Sequence, residues 1–490
     1  MSMTAAKKPA SEARDTPRFG AKIRTLRRCA GLSQAELAQR LDVSPSYLNL
    51  LEHDKRALPA PLLIKLARVL EVDLASFAGE DDARLVHDLL EVFSDPLFED
   101  APLTNTEVRE VASASPAAAR AVLQLYRAYR GAQVATDALS SRLEAGDDAG
   151  GASRSSLPSE EVSDLLQQHM NYFPALEERA EQLRREAGLG ELDRFGALVR
   201  HLARACDVRV EIARSGQPGA ALRRFDPRSR VLALSELLPT RSRLFQLAAQ
   251  VALIAHADVL DGLGRDPLLT NAESRALARV ALANYFAAAV WMPYAEFLRA
   301  AEELRYDIDV LGRRFGVGFE QTCHRLTTLR RPGQEGVPFH MVRIDVAGNI
   351  SKRFSASGIR FARYAGVCPR WNIFSAFQTP NMIRVQVSRM PDGASFFCIA
   401  RTIQKDSGGY HAQQPVQAIG LGCAVEHGPR LVYSDGIDLH SPGQVTPVGV
   451  TCRLCERTAC EQRALPSLKV PLRVDPNYRG LSLYAPPPGE

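Results

Sequence analysis

Between Phe19 and Phe77 apolar residues recur at helical spacing in short runs separated by polar breaks, which predicts several short helices in few residues. Ile23, Leu26 and Arg27 share one helical period, and Gly31 ends it. Ser33 stands where its hydroxyl accepts from the backbone N–H of Glu36, and Glu36, three residues on, completes a capping box. Leu37, Ala38 and Leu41 form the apolar face of the next helix, with the small Ala38 admitting a close neighbour. Asp42 and Val43 make a turn with Val43 as its apolar plug; Ser44 then caps a third helix that Pro45 begins, where the missing N–H costs nothing. Leu48 and Leu51 face inward, so Ser46, Tyr47, Asn49 and Leu50 project from the N-terminal half of that helix.

Helical periodicity continues from Asp81 through "LVHDLLEVFSDPLFED" and "PAAARAVLQLYRAYR" and fades in "EAGDDAGGASRSSLPSEE", Glu144 to Glu161, a flexible linker by composition. It resumes from Ser159 to Glu186. The most apolar stretch, "ALARVALANYFAAAVWMPYAEFL", is interrupted by Arg279, Asn284 and Tyr285. It falls short of the ~18 clean apolar residues of a membrane helix and reads as a buried one. After "RRPGQEG", Arg330 to Gly336, the period changes to two. "VPFHMVRIDVAGNISKRF" predicts two strands with a turn at Ala347 to Asn349, "MIRVQVSRMPDGASFFCIARTI" two more around Pro391, Asp392 and Gly393, and "AIGLGCAVEHGPRLVYS" a further pair. The expectation is a mainly antiparallel sheet with a few helices, in the style of PAS or GAF sensory modules.

A chain of 490 residues suits roughly three domains. At 46% hydrophobic and 24% charged residues, it is neither disordered nor fibrous. "MSMTAAKKPASEARDTPR" lacks the apolar core of a secretory signal, and nine cysteines, an odd number, argue against a disulfide framework and for reduced thiols or metal ligands. Both point to a cytoplasmic protein without a membrane partner. A net charge of +5 says little, but Arg18, Lys22, Arg24, Arg27 and Arg28 occur without an intervening acid, a run suited to phosphate contacts.

Three of the cysteines, Cys452, Cys455 and Cys460, crowd into "TCRLCERTACEQRALP", with Arg453, Arg457 and Arg463 adding positive charge. Two thiolates two residues apart can reach one metal or neighbouring cluster irons, and a third can close over it. Zinc wants a fourth ligand, for which Cys423 or His427 are at hand; an iron–sulfur cluster and three unligated thiols satisfy the same spacing.

The segment from Gln34 to His53, within a domain of about Ile23 to Phe77, resembles the Cro and phage-repressor helix-turn-helix. That likeness implies that Gln34 and Arg56 hold phosphates of double-stranded DNA, and that Ser44, Ser46, Tyr47 and Asn49 reach phosphates or base edges. "RFDPRSRVLALSELLPTRSRLFQLAAQVALIAH" with "ANYFAAAVWMP" resembles the domain of zinc-dependent regulatory proteases of the IrrE and ImmA kind. There HExxH supplies two imidazoles and a general base. Here Ala249 and Leu253 replace the histidines, Gln250 replaces the glutamate, and Val280, Ala281 and Leu282 offer no acidic third ligand. The lone His256 reads as a packed or surface residue. The implied state is a protease-like shell without the chemistry, hence no enzyme.

With "VFSDPLFED", "GLGCAVEHGPRLVYSDGIDL" and "PVGVTCRLCERTACEQRALP" added, nearly the whole chain resembles the short-chain fatty acyl transcriptional regulators. This implies a multidomain fold: an all-α helix-turn-helix domain, a mainly helical degenerate zincin-like middle domain and an α+β sensory domain. The boundaries are a tail at 1–18, the DNA-binding domain at 19–80, a helical connector at 81–135, a linker at 136–160, the protease-like domain at 161–332 and the cysteine-rich domain at 333–490. The resemblance further implies Cys452, Cys455 and Cys460 as ligands of a [4Fe–4S] cluster with one iron open, a short-chain acyl-CoA effector, and a homodimer on an inverted-repeat operator. Arg353, Arg360, Arg363 and Arg370, beside Phe354, Phe361 and Trp371, would suit the phosphates and purine of coenzyme A. Rival readings are a regulatory metalloprotease and a zinc-stapled DNA-binding protein without a sensor role.

Overall fold

The computed structural model of the chain describes residues 23–24, 27, 30–52, 55–56, 58–70, 80–98, 103–145, 158–190, 193–214, 221–362, 367–404, 414–453, 455–457, 459–467, 472, 475–476 and 478–485. They divide into two compact units, 1–126 and 127–490. The expected tail at 1–18 and the core of the expected linker, 146–157, lie outside the described residues.

In the first unit the predicted signals act as read. Ser33 accepts from the Glu36 N–H at 3.2 Å while Glu36 accepts from the Ser33 N–H at 2.7 Å, and α1 runs Gln34–Leu41. Gly31, at φ +68°, takes the left-handed conformation that ends the preceding turn. Asp42 adopts φ +57°, a conformation a short polar side chain tolerates, and turns the chain into α2, Pro45–Glu52. α3, Ala60–Val69, closes a core of Ile23, Leu37, Ala38, Leu41, Leu48, Leu51, Leu66 and Ala67. α4, Glu80–Val92, packs on α5, Asn105–Ala114, which a second capping box starts at Thr104 and Glu107. α6 spans Pro116–Ala145, so the expected linker from 136 begins as helix; Ala, Leu, Arg and Glu in "TDALSSRLEA" sustain it.

The second unit begins with α7, Pro158–Gln168, α8, Pro174–Ala187, and α9, Arg194–Cys206. A small sheet follows in the order β1, Arg209–Ala213, then β3, Val231–Ser235, then β2, Arg223–Asp226, with β1 parallel and β2 antiparallel to β3. α10, Thr240–Ala255, and α11, Ala257–Leu263, precede α12, Ala272–Trp291, which packs on α8 and α10. α13, Tyr294–Glu303, α14, Ile308–Phe315, and α15, Phe319–Thr327, complete the helical part. At its centre Arg325 and Glu177 form a fully buried bidentate pair at 2.6 and 2.9 Å. The Tyr285 hydroxyl donates to Glu177 at 2.6 Å and Arg325 Nε to the Met292 carbonyl at 2.9 Å. Tyr285 and Met292 belong to the "ANYFAAAVWMP" run, which therefore serves a packing network. Among the described residues no single helix is long and apolar enough to cross a membrane.

A two-residue ladder of β4, Arg330–Arg331, with β5, Gln334–Glu335, leads into a six-stranded sheet. Its strands are β6, His340–Asp345, β7, Ile350–Ser355, β8, Arg384–Arg389, β9, Ser395–Gln404, β10, Val416–Ala424, and β11, Val445–Pro447, in the order β11-β8-β9-β10-β6-β7. All neighbours are antiparallel except β11 with β8. The expected second strand after β10 is absent: Val425–Arg430 and Val432–Ser434 are tight helical turns, where Pro429 has no N–H to give a ladder. One sheet face, with Phe397, Ile419 and Cys423, joins the core of the helical part. The other, with Phe396, Ala400 and Ala418, is covered by Ile359, Phe361, Cys368, Trp371 and Ile373, the last in α16, Asn372–Ser375. Segments 161–332 and 333–490 thus share one hydrophobic core.

Burial works to raise the Glu177 carboxyl, but the Arg325 guanidinium and the Tyr285 hydroxyl hold it below its ordinary value. A folded value below the unfolded one means this contribution is complete above the ordinary carboxylate range and disappears as pH falls through the depressed value. Arg325→Leu is expected to lower unfolding free energy by about 3–5 kcal/mol, because it leaves a buried unpaired carboxylate. Glu177→Leu combined with Arg325→Leu should recover much of that in urea titrations at neutral pH; a double variant no more stable than the single one speaks against the pair.

Candidate functional site

In the helix-turn-helix, three side chains from two segments converge on Glu52 at the end of α2. Arg27 reaches both its oxygens at 2.7 and 3.1 Å, Gln34 donates to it at 3.0 Å, and Arg24 donates to its carbonyl at 2.7 Å. Glu52 is 2% exposed, which explains why two arginines of the expected phosphate-binding run turn inward; Arg18, Lys22 and Arg28 lie outside the described residues. Gln34 also approaches the exposed Asn49 at 3.4 Å, so Glu52 orients the polar face between α1 and α2. Ser44 Oγ accepts from the Tyr47 N–H at 3.1 Å, which makes it the cap of α2. Ser46 is exposed, and Arg56 lies over the Tyr47 ring at 4.9 Å. Asn49, Ser46 and the Arg56–Tyr47 pair thus flank the N-terminal half of α2, the part a helix-turn-helix presents to a groove.

The middle domain brings no ligand set to the protease positions. Ala249 and Gln250 are buried in α10 and Leu253 packs against the same core. His256 joins α10 to α11 with its ring 5.1 Å from that of Phe286; burial, then the nearby Arg179, lowers its pKa.

Cys452, Cys455 and Cys460 line one narrow, solvent-open pocket together with Thr451, Gln462, Arg463 and a residue the sequence did not single out, Cys368. Arg463, 5% exposed, sets the loop: its Nη1 donates to the Cys452 carbonyl at 2.8 Å, and its Nη2 to the carbonyls of Cys455 at 2.9 Å and Arg457 at 2.6 Å. Arg457 caps the carbonyls of Arg389 and Met390 and that of Val448. A Cβ on Gly449 would stand 3.0 Å from Cys455 Sγ, so a side chain there would push on the thiol. Burial raises the Cys368 thiol, against hydrogen bonds from the Arg370 and Gly449 N–H groups, and Cys452 and Cys455 add to the rise. Among the described residues the buried Thr451 hydroxyl has no hydrogen-bond partner. Among the described residues no three His, Cys, Asp or Glu side chains are placed to hold a single metal ion.

Neither fourth ligand weighed from spacing is here. Cys423 is buried on the opposite sheet face, its thiol pushed far up by burial, and His427 follows in the turn Val425–Arg430. The signal for Cys368 was its dipeptide, Cys368-Pro369, since Cys-Pro closes iron–sulfur motifs elsewhere. Cys206 is buried in the middle-domain core; Cys29 lies outside the described residues.

A second, narrow pocket lies between the sheet and the segment that carries Cys368, lined among others by Val342, Phe361, Trp371, Ile373, His340 and Cys398. His340 Nδ1 pairs with Ser357 Oγ at 2.7 Å and its Nε2 lies 3.6 Å from Cys398 Sγ. Burial pushes the Cys398 thiol up to about 12 and the His340 imidazole down to about 3, so the pair is neutral and not an activated nucleophile. Of the arginines considered for coenzyme A, Arg353 pairs with Glu160, Arg360 has an interaction partner, Arg370 lines the cysteine cavity, and Arg363 lies outside the described residues.

Comparison with known proteins matches residues 23–77 to a helix-turn-helix model, 203–327 to the IrrE N-terminal-like domain, and 328–484 to the short-chain fatty acyl coenzyme A regulator, C-terminal. The chain is 41% identical over 468 residues to the HTH-type transcriptional regulator RamB of Mycobacterium tuberculosis (strain ATCC 25618 / H37Rv), covering 95% of this chain and 98% of that one. It is 41% identical over 461 residues to the HTH-type transcriptional regulator PrpR of the same strain, with 94% and 93% covered. It is also 40% identical over 468 residues to the propionyl-CoA carboxylase regulator of Cereibacter sphaeroides, with 95% and 98% covered. A solved structure titled Mycobacterium tuberculosis transcriptional regulator superposes with a TM-score of 0.64 at 43% identity, covering 67% of this chain and all of that one.

Asn49→Ala is expected to cost about 1–3 kcal/mol of discrimination between specific and random duplex, whereas Arg56→Ala weakens both alike and reduces the salt slope by about one phosphate. Competition binding at several salt concentrations separates the two. An unaltered sequence preference in Asn49→Ala removes α2 from the groove.

Proposed function

The chain belongs to the family of short-chain fatty acyl coenzyme A regulators and is a DNA-binding transcriptional regulator of short-chain acyl metabolism; on that premise we propose that a short-chain acyl-CoA thioester and an iron–sulfur cluster set its operator affinity. The single observation that supports a cluster is the pocket shared by Cys452, Cys455 and Cys460, with the Thr451 hydroxyl, unpartnered among the described residues, in its wall. Zinc needs all its thiolates about 2.3 Å from one point, whereas a cluster distributes them over separate irons, and three thiols lining one pocket suit the second arrangement. When bound, such a group supplies an oxidation-sensitive, electron-accepting centre. This chain's own residues hold the loop: Arg463 fixes the backbone at Cys452 and Cys455, and Thr451 offers a hydrogen bond to a cluster sulfur.

The candidate seat for the acyl chain is the second cavity, apolar on most sides and neutral at His340 and Cys398. It shares Trp371 with the cysteine loop, because the indole N–H donates to the Gly449 carbonyl at 3.0 Å. A homodimer on an inverted repeat follows from the short half-site of one helix-turn-helix, with recognition helices about 34–36 Å apart. The regulatory role involves no proteolysis, since α10 carries Ala249, Gln250 and Leu253 in place of HExxH.

Anaerobically purified protein should contain iron and sulfide and absorb in the visible. Replacing Cys452, Cys455 and Cys460 together by Ser should abolish both and change operator binding or its response to propionyl-CoA. A triple variant that binds operator and responds as the parent does reduces the loop to a structural staple. Stoichiometric zinc that survives the triple substitution, or chelator-sensitive cleavage of any protein, restores the protease reading.

A further inference from the structure

We propose that α6 makes the dimer contact of this protein: an apolar stripe along it packs against the same stripe of a second copy as a short coiled coil. The inference rests on the homodimer reading above and names the surface that forms the dimer. α6, Pro116–Ala145, carries two apolar faces. One is used inside its own unit: Ala119, Leu123 and Tyr126 are buried, and the Tyr126 hydroxyl donates to Asp95 at 2.6 Å. The other begins at the half-buried Val122 and runs through Leu125, 72% exposed, Tyr129, 38% exposed, and the exposed Ala132. The steps of three, four and three residues between them continue unbroken in the sequence, through Thr136 and Leu139 to Leu143. A helix turns once in about 3.6 residues, so this alternation of three and four keeps the positions on one slowly winding line, the a and d positions of a heptad. Val122, Tyr129, Thr136 and Leu143 take a, and Leu125, Ala132 and Leu139 take d.

The placement of charge selects a second copy over water as the cover. A helix face turned to water carries charged and polar side chains. In α6, Arg120, Arg127, Arg130, Asp137 and Glu144 all fall on the b and f positions, away from the stripe. The positions that flank the stripe, e and g, are Ala121, Tyr126, Ala128, Gln133, Ala135 and Ser140, and a charge enters them only at Arg142. Across a two-fold axis the same patch meets itself, so a flank without charge brings no like charges together. The alanines at g let the two helix axes approach closely.

Val122 to Leu143 spans about 32 Å at ~1.5 Å per residue. Pairing over that length removes on the order of 1,200 Å² of surface in total from water, the lower end for a specific complex. The dimer is therefore concentration-dependent, and an inverted-repeat duplex that engages both copies stabilises it by mass action.

The test compares the full-length protein with Leu125→Glu, the apolar exchange Leu125→Ile and, off the stripe, the exposed Gln124→Glu. Sedimentation equilibrium over a concentration series reads the dimer, and circular dichroism with thermal melting reads the fold. Leu125→Glu should fold as the parent does, because its side chain is exposed in the single chain, and should weaken dimerisation by about tenfold or more, because the seam would bury an unpaired carboxylate. Its binding to a footprinted operator should lose cooperativity. Leu125→Ile and Gln124→Glu should dimerise as the parent does. A folded Leu125→Glu protein that dimerises as tightly as the parent overturns the proposal and leaves the homodimer standing; so does a dimer lost equally in Gln124→Glu. A parent that stays monomeric at every concentration, with and without operator, fails the homodimer reading itself.

Discussion

The central stretches of β9 and β10 are covered on both faces, and the arrangement of the larger unit follows from that constraint. Side chains alternate across the sheet, so Phe397, Ile399, Ile419, Leu421 and Cys423 must be covered on one side and Phe396, Ala400 and Ala418 on the other. The first face is covered by the helices of the IrrE-like part. Its interior is organised by the Glu177–Arg325 pair and by Tyr285, and its outer edge is pinned to the sheet by Arg343 and Lys352 on Glu320, at 2.6 and 3.0 Å, and by Arg401 on Asp309 at 2.7 Å.

The second face is covered by a segment with little regular structure, and irregular backbone must find hydrogen bonds outside any ladder. Asn372 supplies two, to the carbonyls of Arg384 and Cys398, and Gln386 supplies another to Arg370. Trp371 and Cys368 supply those toward Gly449 and Val450. The cover of the sheet and the cysteine loop are therefore one hydrogen-bonded assembly. Arg463 closes it from the far side by binding carbonyls of the loop, and Ser482 anchors Arg463 through a 2.7 Å bond to its carbonyl. Trp371 and Cys368 therefore connect the cysteine loop with the lining of the apolar pocket.

Electrostatics in the small unit follow a similar economy. Burying the end of α2 leaves Glu52 without water, and Arg27, Gln34 and the Arg24–carbonyl contact satisfy it. The pair Arg56 and Tyr47 stays outside, with Ser46 and Asn49 beside it.

What the sequence by itself determined is what short-range physics decides. Ser33 with Glu36, Gly31, Asp42 and Pro45 place helix ends within a few residues, and period-two runs place β6 to β10, because caps, turns and alternation are local. The triplet of cysteines was equally legible, since its spacing is its signal. Tertiary structure alone decided the rest. A run of arginines looks the same whether it faces phosphate or a buried glutamate, and packing turned Arg24 and Arg27 to Glu52. Cys423 is closer to the triplet in sequence than Cys368, but a residue's sheet face depends on register with its neighbours, and that register puts Cys423 opposite Phe397 in the far core. Cys368 reaches the cavity because hydrogen bonds to residues distant in the chain fold its loop there, a long-range closure; the Cys368-Pro369 dipeptide marks the residue but not the partners it meets.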